Sequence, residues 1–432
     1  MKNRDKKENR MLGRVRRGLT ATILCGILAG CPGAGAPAPG AGHTPAWVGT
    51  EIVSSDYQPA DCFGCSLAMT PDGAMIVVGA IGKTIGGNPD QGKVYVFRWN
   101  GAAWDETSIT ASDGAAQDYF GYSLAVSSNG NTVAVGTWGK GAGSNAHQGK
   151  AYVYTWNGSG WSETGITSSD GAEEDCFGSS VALSSDGKAL AVGAFQKCIG
   201  GNPTPQGKAY IYAWDGYVWV ESGIAASDGM PGDGFGLPVA LSSDGKTLAV
   251  GATGKDFDTT EGYGKVYVYS WNGSSWAETG IMASDGAGFD WFGSSLALSA
   301  DGRVLAVGAP GKYVGLVPAM GTEYVFTLEG GAWTGASISP SDGMLQDYFG
   351  SSTAVSSDGK TLVVGSPHKT IGANQSQGQA YVCTLNGADW GAAGLLASDG
   401  AAKDGFGRCV GVSADGKVLA VCSTRIYLER YE

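Results

Sequence analysis

Short alternations of apolar and polar residues recur along most of the chain, separated by glycine- and asparagine-rich turns. One unit runs from Phe120 through Leu124 and Val126 to the turn Asn129-Gly130. It resumes at Thr132 to Val135, crosses a glycine-rich stretch, and continues as Ala151 to Trp156, Asn157-Gly158 and a last run from Trp161. Period-two alternation predicts half-buried β-strands, and Asp-Gly or Asn-Gly between two of them predicts a tight hairpin. Each unit therefore predicts four short antiparallel strands. The unit then repeats. Phe-Gly stands at Phe63, Phe120, Phe177, Phe235, Phe292, Phe349 and Phe406, at spacings of 57 or 58 residues. An aspartate precedes each Phe by two residues, from Asp61 to Asp404, and a tryptophan keeps the same period from Trp47 to Trp390.

Four short strands cannot bury both faces of their sheet, whereas seven such sheets packed around an axis can. The expected fold is all-β: a seven-bladed β-propeller of four-stranded antiparallel blades over residues 47–432. Register agrees. Leu124 and Val126 pair across the Asn-Gly hairpin with Val135 and Val133 on one face. The other face of the first strand carries Ala68, Ala125, Ala182, Ala240, Ala297, Ala354 and Gly411, small enough for the crowded strand nearest the axis. The last unit stops after its third strand, Ile426 to Glu432, and the absent fourth strand stands at the other end of the chain as Trp47 to Ser54. The N-terminal strand is expected to complete the last blade and close the ring, which removes exposed sheet edges.

The period, the Phe-Gly opening and the later Gly308-Ala309-Pro310, with looser forms at Gly79-Ala80-Ile81 and Gly365-Ser366-Pro367, resemble FG-GAP repeats. That family includes the seven-bladed propeller of integrin alpha subunits. Integrin-type blades often hold Ca²⁺ in a first hairpin rich in alternating Asp and Asn. Here the hairpin is Ser-Ser-Asp-Gly-Lys (Ser185 to Lys188, Ser243 to Lys246), with one carboxylate where about six oxygen ligands are needed. Calcium is therefore not expected there, and no cofactor is. Asp256, Asp258 and Glu261 in one loop are a weaker metal candidate, with a solvated loop as the plainer reading.

Composition sharpens this picture. Glycine is 73 of 432 residues and charged residues are only 16%, which suits many turns and short strands rather than a helical bundle. The formal charge is −12. The first 30 residues hold eight Lys/Arg against two Asp/Glu, so the remainder is 20 minus 38, or −18. So acidic a body repels nucleic acid and anionic membrane surfaces. The basic start is followed by the apolar run Leu19 to Leu28, too short to span a bilayer, in the order of a secretory signal. It ends in Leu28-Ala29-Gly30-Cys31, which resembles the lipobox of bacterial lipoproteins. By that resemblance residues 1–30 are removed, Cys31 carries lipid, and residues 31–46 form a Pro/Gly/Ala spacer. The expected location is the bacterial cell envelope, with the membrane touched only through the anchor.

The repeated Ser-Asp-Gly and Asp-x-Phe-Gly place two aspartates in every link between blades (Asp113 and Asp118, Asp170 and Asp175). Seven-fold repetition favours a structural role in which they accept backbone N–H groups. The loops between second and third strands diverge more, and variable loops on a rigid scaffold are the usual binding surface. Trp138, Phe195, Phe257 and Tyr313 lie in them as candidate ligand-stacking residues, with local loop packing as the alternative for each. Catalysis finds little support: only three histidines exist, with no zinc-spaced set and no phosphate loop. Cys62-Phe-Gly-Cys65 opens a strand rather than a helix, which argues against a thioredoxin-like role. Cys409 and Cys422 replace Ser or Pro and Gly together, in the closing blade alone, and at a non-hydrogen-bonded strand pair they are a disulfide candidate. The expected function is a monomeric, non-catalytic binding or adhesion module for a glycan or protein ligand. The alternatives are a carbohydrate-active hydrolase or lyase with two carboxylates in one cleft, and a scaffold subunit of an envelope complex.

Overall fold

The computed structural model describes residues 49–258 and 260–430. The signal segment, Cys31, the spacer, Trp47 and the last two residues lie outside them. Seven four-stranded antiparallel sheets follow one another around a ring. Blade 2 shows the pattern: Ser123–Val126, Thr132–Thr137, Lys150–Trp156 and Trp161–Ile166, joined in sequence order. The turn residues explain the hairpins. Asn129 Oδ1 accepts the Ser127 hydroxyl and the Asn131 N–H, and Gly130 takes the left-handed conformation (φ 67°) that a side chain would resist.

Strand register is as the alternation predicts: Leu124 faces Val135 and Val126 faces Val133. These side chains do not stay within one blade. Val77, Val94 and Val96 of blade 1 pack on Phe120, Val133, Val135 and Tyr152 of blade 2, and a cluster of the same make-up fills each interface of the ring. All seven Phe-Gly rings are buried. Blades also approach by backbone. A Cβ on Gly193 would overlap the carbonyl oxygen of Gly236 in the next blade, so the second strand needs glycine there. The facing serine latches the same contact: Ser123 Oγ donates to Gly178 O at 2.9 Å and Ser352 Oγ to Gly407 O at 2.7 Å. In blade 4 this serine is Pro238, which lacks an N–H, and the first strand shortens to Val239–Leu241.

Ring closure follows the expected route. Thr50–Ile52 pairs antiparallel with Ile426–Arg430, matching Thr50 to Leu428 and Ile52 to Ile426. The strand is shorter than the Trp47 to Ser54 read from the sequence, because Ser54 already accepts the Tyr57 N–H in the turn that leads into blade 1. Ile52 is buried among Ile426, Leu428, Phe63 and Tyr95, so the chain start is held by core packing as well as by strand pairing.

Candidate functional site

Phe63 pairs with Ala80, so each first strand begins where its second strand ends. The inter-blade link and the loop between second and third strands therefore meet on one face of the ring. Six lysines organise that face: Lys83, Lys140, Lys197, Lys255, Lys312 and Lys369. Each ammonium donates to the main-chain carbonyl of the first link aspartate and to the carboxylate of the second. Lys312 does so to Asp285 O at 2.5 Å and to Asp290 Oδ2 at 3.0 Å. The second aspartate also accepts a backbone N–H, as Asp175 does from Ala172 at 2.7 Å. The first accepts a buried tyrosine hydroxyl, Tyr210 to Asp170 at 2.6 Å, and in blades 1 to 4 a second lysine, such as Lys208 at 2.7 Å.

The sequence reading had both aspartates accepting backbone N–H groups. That describes the second; the first is instead the hub of a Tyr–Asp–Lys network. Its electrostatics follow. Burial opposes the charged form of Asp56, but the Tyr95 hydroxyl and the Lys93 and Lys83 ammonium groups outweigh it and lower the carboxyl to about 2. Burial wins at Asp175, Asp233 and Asp290, which are raised despite their lysines. In blade 7 the loop shrinks and no lysine is present. Arg425 bridges Asp399 at 2.9 Å and Glu51 at 2.8 Å instead, tying the link to the closing strand.

In blades 1 to 4 a staple ties the incoming link to the blade's fourth strand. Ser112 donates its N–H and hydroxyl to Glu163 at 3.0 and 2.6 Å, and Tyr154 donates to the same carboxylate at 2.8 Å. Blades 5 and 6 have Gly335 and Ala392 at the glutamate position, and Thr322 and Gln379 in place of the second lysine. The polar framework thins in that sector, and there the face turns apolar. Phe257, Phe289, Tyr313, Met344 and Leu345 are each more than half exposed, and Leu316 is 98% exposed. At the same repeat positions blade 2 and the link before it carry Ala142, Gln117, Gly141, Ala115, Ala116 and Ser144. The residues are held side by side. Phe289 N–H donates to Glu261 O at 3.0 Å and Gln346 N–H to Pro318 O at 3.1 Å, so each loop is bonded to the next blade's link.

The four aromatic candidates separate. Phe257 and Tyr313 stand exposed in this sector. Phe195 is buried within the turn that Lys197 N–H closes on Ala194 O at 3.0 Å, so it serves loop packing. Trp138 is half-buried. It stacks on Tyr119 at 5.0 Å between centroids and touches Tyr122 and His147, and its indole N–H is buried without an acceptor among the described residues. Phe289, Leu316, Met344 and Leu345 were missed; a comparison of repeat positions shows large apolar side chains there in blades 4 to 6 only. Asp256 Oδ1 accepts the Gly262 N–H at 2.9 Å, a loop-capping role. Among the described residues no group of three or more His, Cys, Asp or Glu side chains is placed to hold a metal ion. All seven cysteines of the described residues are thiols. Continuing the strand register puts Cys409 opposite Cys422, but Cys422 N–H donates to Cys409 O at 2.9 Å, so the pair is hydrogen-bonded rather than non-hydrogen-bonded.

Comparison with known proteins agrees with this architecture. Among solved structures, the β-propeller domain of Myceliophteria thermophila Cps50 (Swd1) superposes with a TM-score of 0.56 at 11% identity, covering 88% of this chain and 99% of that one. At that identity the likeness concerns the fold alone. No curated protein matches the chain. The FG-GAP repeat family matches six times, at residues 49–97, 104–154, 161–212, 219–269, 276–326 and 333–383, in step with the first six blades. Matches over most of the chain, each running from the fourth strand of one blade through the third strand of the next, place this protein in the FG-GAP repeat family.

Proposed function

We propose that this FG-GAP propeller is a non-catalytic binding module whose ligand is a protein, docked on the loop face over blades 4 to 6. The observation that carries the reading is the concentration of Phe257, Phe289, Tyr313, Leu316, Met344 and Leu345 in one sector of a repeating scaffold. Architecture repeats in every blade, whereas this patch breaks the repetition. Scattered exposed apolar residues need no explanation, but a grouped patch with a polar surround marks an interaction surface. Aliphatic side chains such as Leu316 and Leu345 favour an apolar protein surface over a sugar ring. Asp256, Asp258 and Glu261 border the patch, and the body is strongly acidic, so the partner surface is apolar with Lys and Arg around it.

A glycosidase-like use of the link carboxylates is disfavoured by geometry. The two aspartates of each link from blade 1 to blade 6 converge on a lysine ammonium, and the second is buried, whereas hydrolysis needs two carboxylates reaching one glycosidic bond. We also read the chain as exported and tethered through Cys31. Metabolic labelling with a fatty acid tests this: label on the native protein and none on Cys31→Ser is expected, and equal labelling of both contradicts it.

The binding reading is tested on an array of defined matrix proteins and glycans, probed with the propeller at low and high salt. Protein spots that weaken as salt rises are expected. Signal confined to glycan spots, or a blank array, contradicts the reading.

A further inference from the structure

Ring closure brings four cysteines from opposite ends of the chain to one seam. Cys62 and Cys65 flank the Phe63-Gly64 that opens blade 1, and Cys65 N–H donates to Cys62 O at 3.2 Å in a tight turn. Cys409 and Cys422 face each other across the first two strands of blade 7. The two pairs touch: Cys409 Sγ donates to Cys65 O at 3.1 Å, and Arg408 Nη1 lies 4.0 Å from Cys65 Sγ. Cys422 occupies the position where the other six blades have glycine, because a Cβ there would strike the next blade's backbone. Only the closing seam has room for a side chain, and that room is filled with sulfur. Cys422 is fully buried.

We infer that the ring-closing seam is an oxidisable clasp, in which Cys62–Cys65 and Cys409–Cys422 close as two disulfides, one on each side of the seam. Within each pair the thiols are unequal. The Cys65 hydrogen bond, and the Arg408 guanidinium against the effect of burial, hold Cys62 at about 7. The Cys422 hydrogen bond and Arg408 lower Cys409, while burial and Cys409 push Cys422 up. Cys62 is thus the attacking sulfur for a disulfide oxidant of the glutathione class. Its thiolate attacks one sulfur of the oxidant and expels a thiolate, leaving a mixed disulfide. Cys65 then loses its proton and attacks Cys62 Sγ, expelling the second thiolate. Two protein thiols are oxidised, one oxidant disulfide is reduced, and the two released thiolates take up the two protons. Cys409 and Cys422 react in the same order. An exported protein meets such conditions, and a disulfide within the closing blade restrains its unfolding.

The test uses the folded chain incubated with oxidised glutathione, then alkylated and digested with trypsin. Lys417 separates Cys409 from Cys422, so their bond joins two peptides, and the 62–65 bond removes two hydrogens from a single one. Protection of these four cysteines in those pairs, with exposed Cys198 left alkylated or glutathionylated, is the expected result. The thermal midpoint should also fall by a few degrees on reduction. The variant Cys409→Ser with Cys422→Gly restores the Ser and Gly pair of blades 1, 2, 3, 5 and 6 and so keeps a fold. It should lose the joined peptide and most of the reductant effect. Four alkylated cysteines, a bond crossing from Cys65 to Cys409, or a midpoint that reductant leaves unmoved in the native chain would overturn the clasp.

Discussion

Glu323 occupies a third-strand position that the other blades fill with alanine, valine or isoleucine, and it is completely buried. Neither carboxylate oxygen has a hydrogen-bond partner among the described residues. The Thr353 hydroxyl is near enough to favour the charged form slightly, without hydrogen-bonding geometry, and burial drives the carboxyl well above its usual range. The folded state therefore holds a proton that the unfolded chain releases near pH 4. This pair stabilises least where the unfolded glutamate is ionised, and stability falls as pH rises above that point. Glu323→Val with Thr353→Leu restores the apolar pair found elsewhere in the ring. At pH 8 it should raise stability by about 1–4 kcal/mol, and the gain should shrink towards pH 4 in thermal melts. A pH-independent difference would contradict the assignment. Residue-scale features of this kind were poorly legible. Phe195 and Tyr313 look alike in sequence, both aromatic and both near the loop lysine. Phe195 sits inside the lysine turn and is buried, whereas Tyr313 follows the lysine and is exposed.

At the scale of the element, the inter-blade link is held by a buried ion pair rather than by turn hydrogen bonds alone. Lys197 and Asp175 have side chains 7% and 3% exposed and meet at 2.8 Å. Removing one partner of such a pair strands the other charge, at a cost of about 3–5 kcal/mol. Lys197→Met should therefore lower the unfolding midpoint at pH 7, and less so at pH 4, where Asp175, already raised by burial, takes up a proton. Equal losses at both pH values would remove the ion pair from the account. This network was legible and went unread: a lysine follows each of the first six Phe-Gly phenylalanines by twenty residues, from Lys83 to Lys369, as regularly as the aspartates precede it. Repetition alone shows that a residue is architectural. Which partner it takes depends on where the link and loop converge, and that needs the ring.

The whole molecule depends on a three-residue strand. Blade 7 lacks its outer strand unless Thr50–Ile52 returns to Ile426–Arg430. Ile52→Ala removes a buried side chain and should cost about 2–4 kcal/mol, and hydrogen exchange should speed up at both Ile52 and Leu428. Exchange unchanged at Leu428 would mean that the closing strand contributes little. Closure was legible because the repeat count came out one strand short at one end and one strand long at the other. The cysteine seam was half legible: Cys409 and Cys422 stood out by joint replacement, whereas Cys62 and Cys65 join them only once the ring closes. The apolar sector was hidden for a different reason, since an exposed leucine and a buried one read the same until the scaffold separates them. Its role is the central claim, and one comparison tests it most directly. Leu316→Glu with Leu345→Glu is set against Ser144→Glu with Ala116→Glu, the same repeat positions around blade 2, on the protein array. The sector account predicts that the first pair abolishes the protein signals and the second leaves them within about twofold. Equal loss from both pairs, or binding that survives the first, would contradict it.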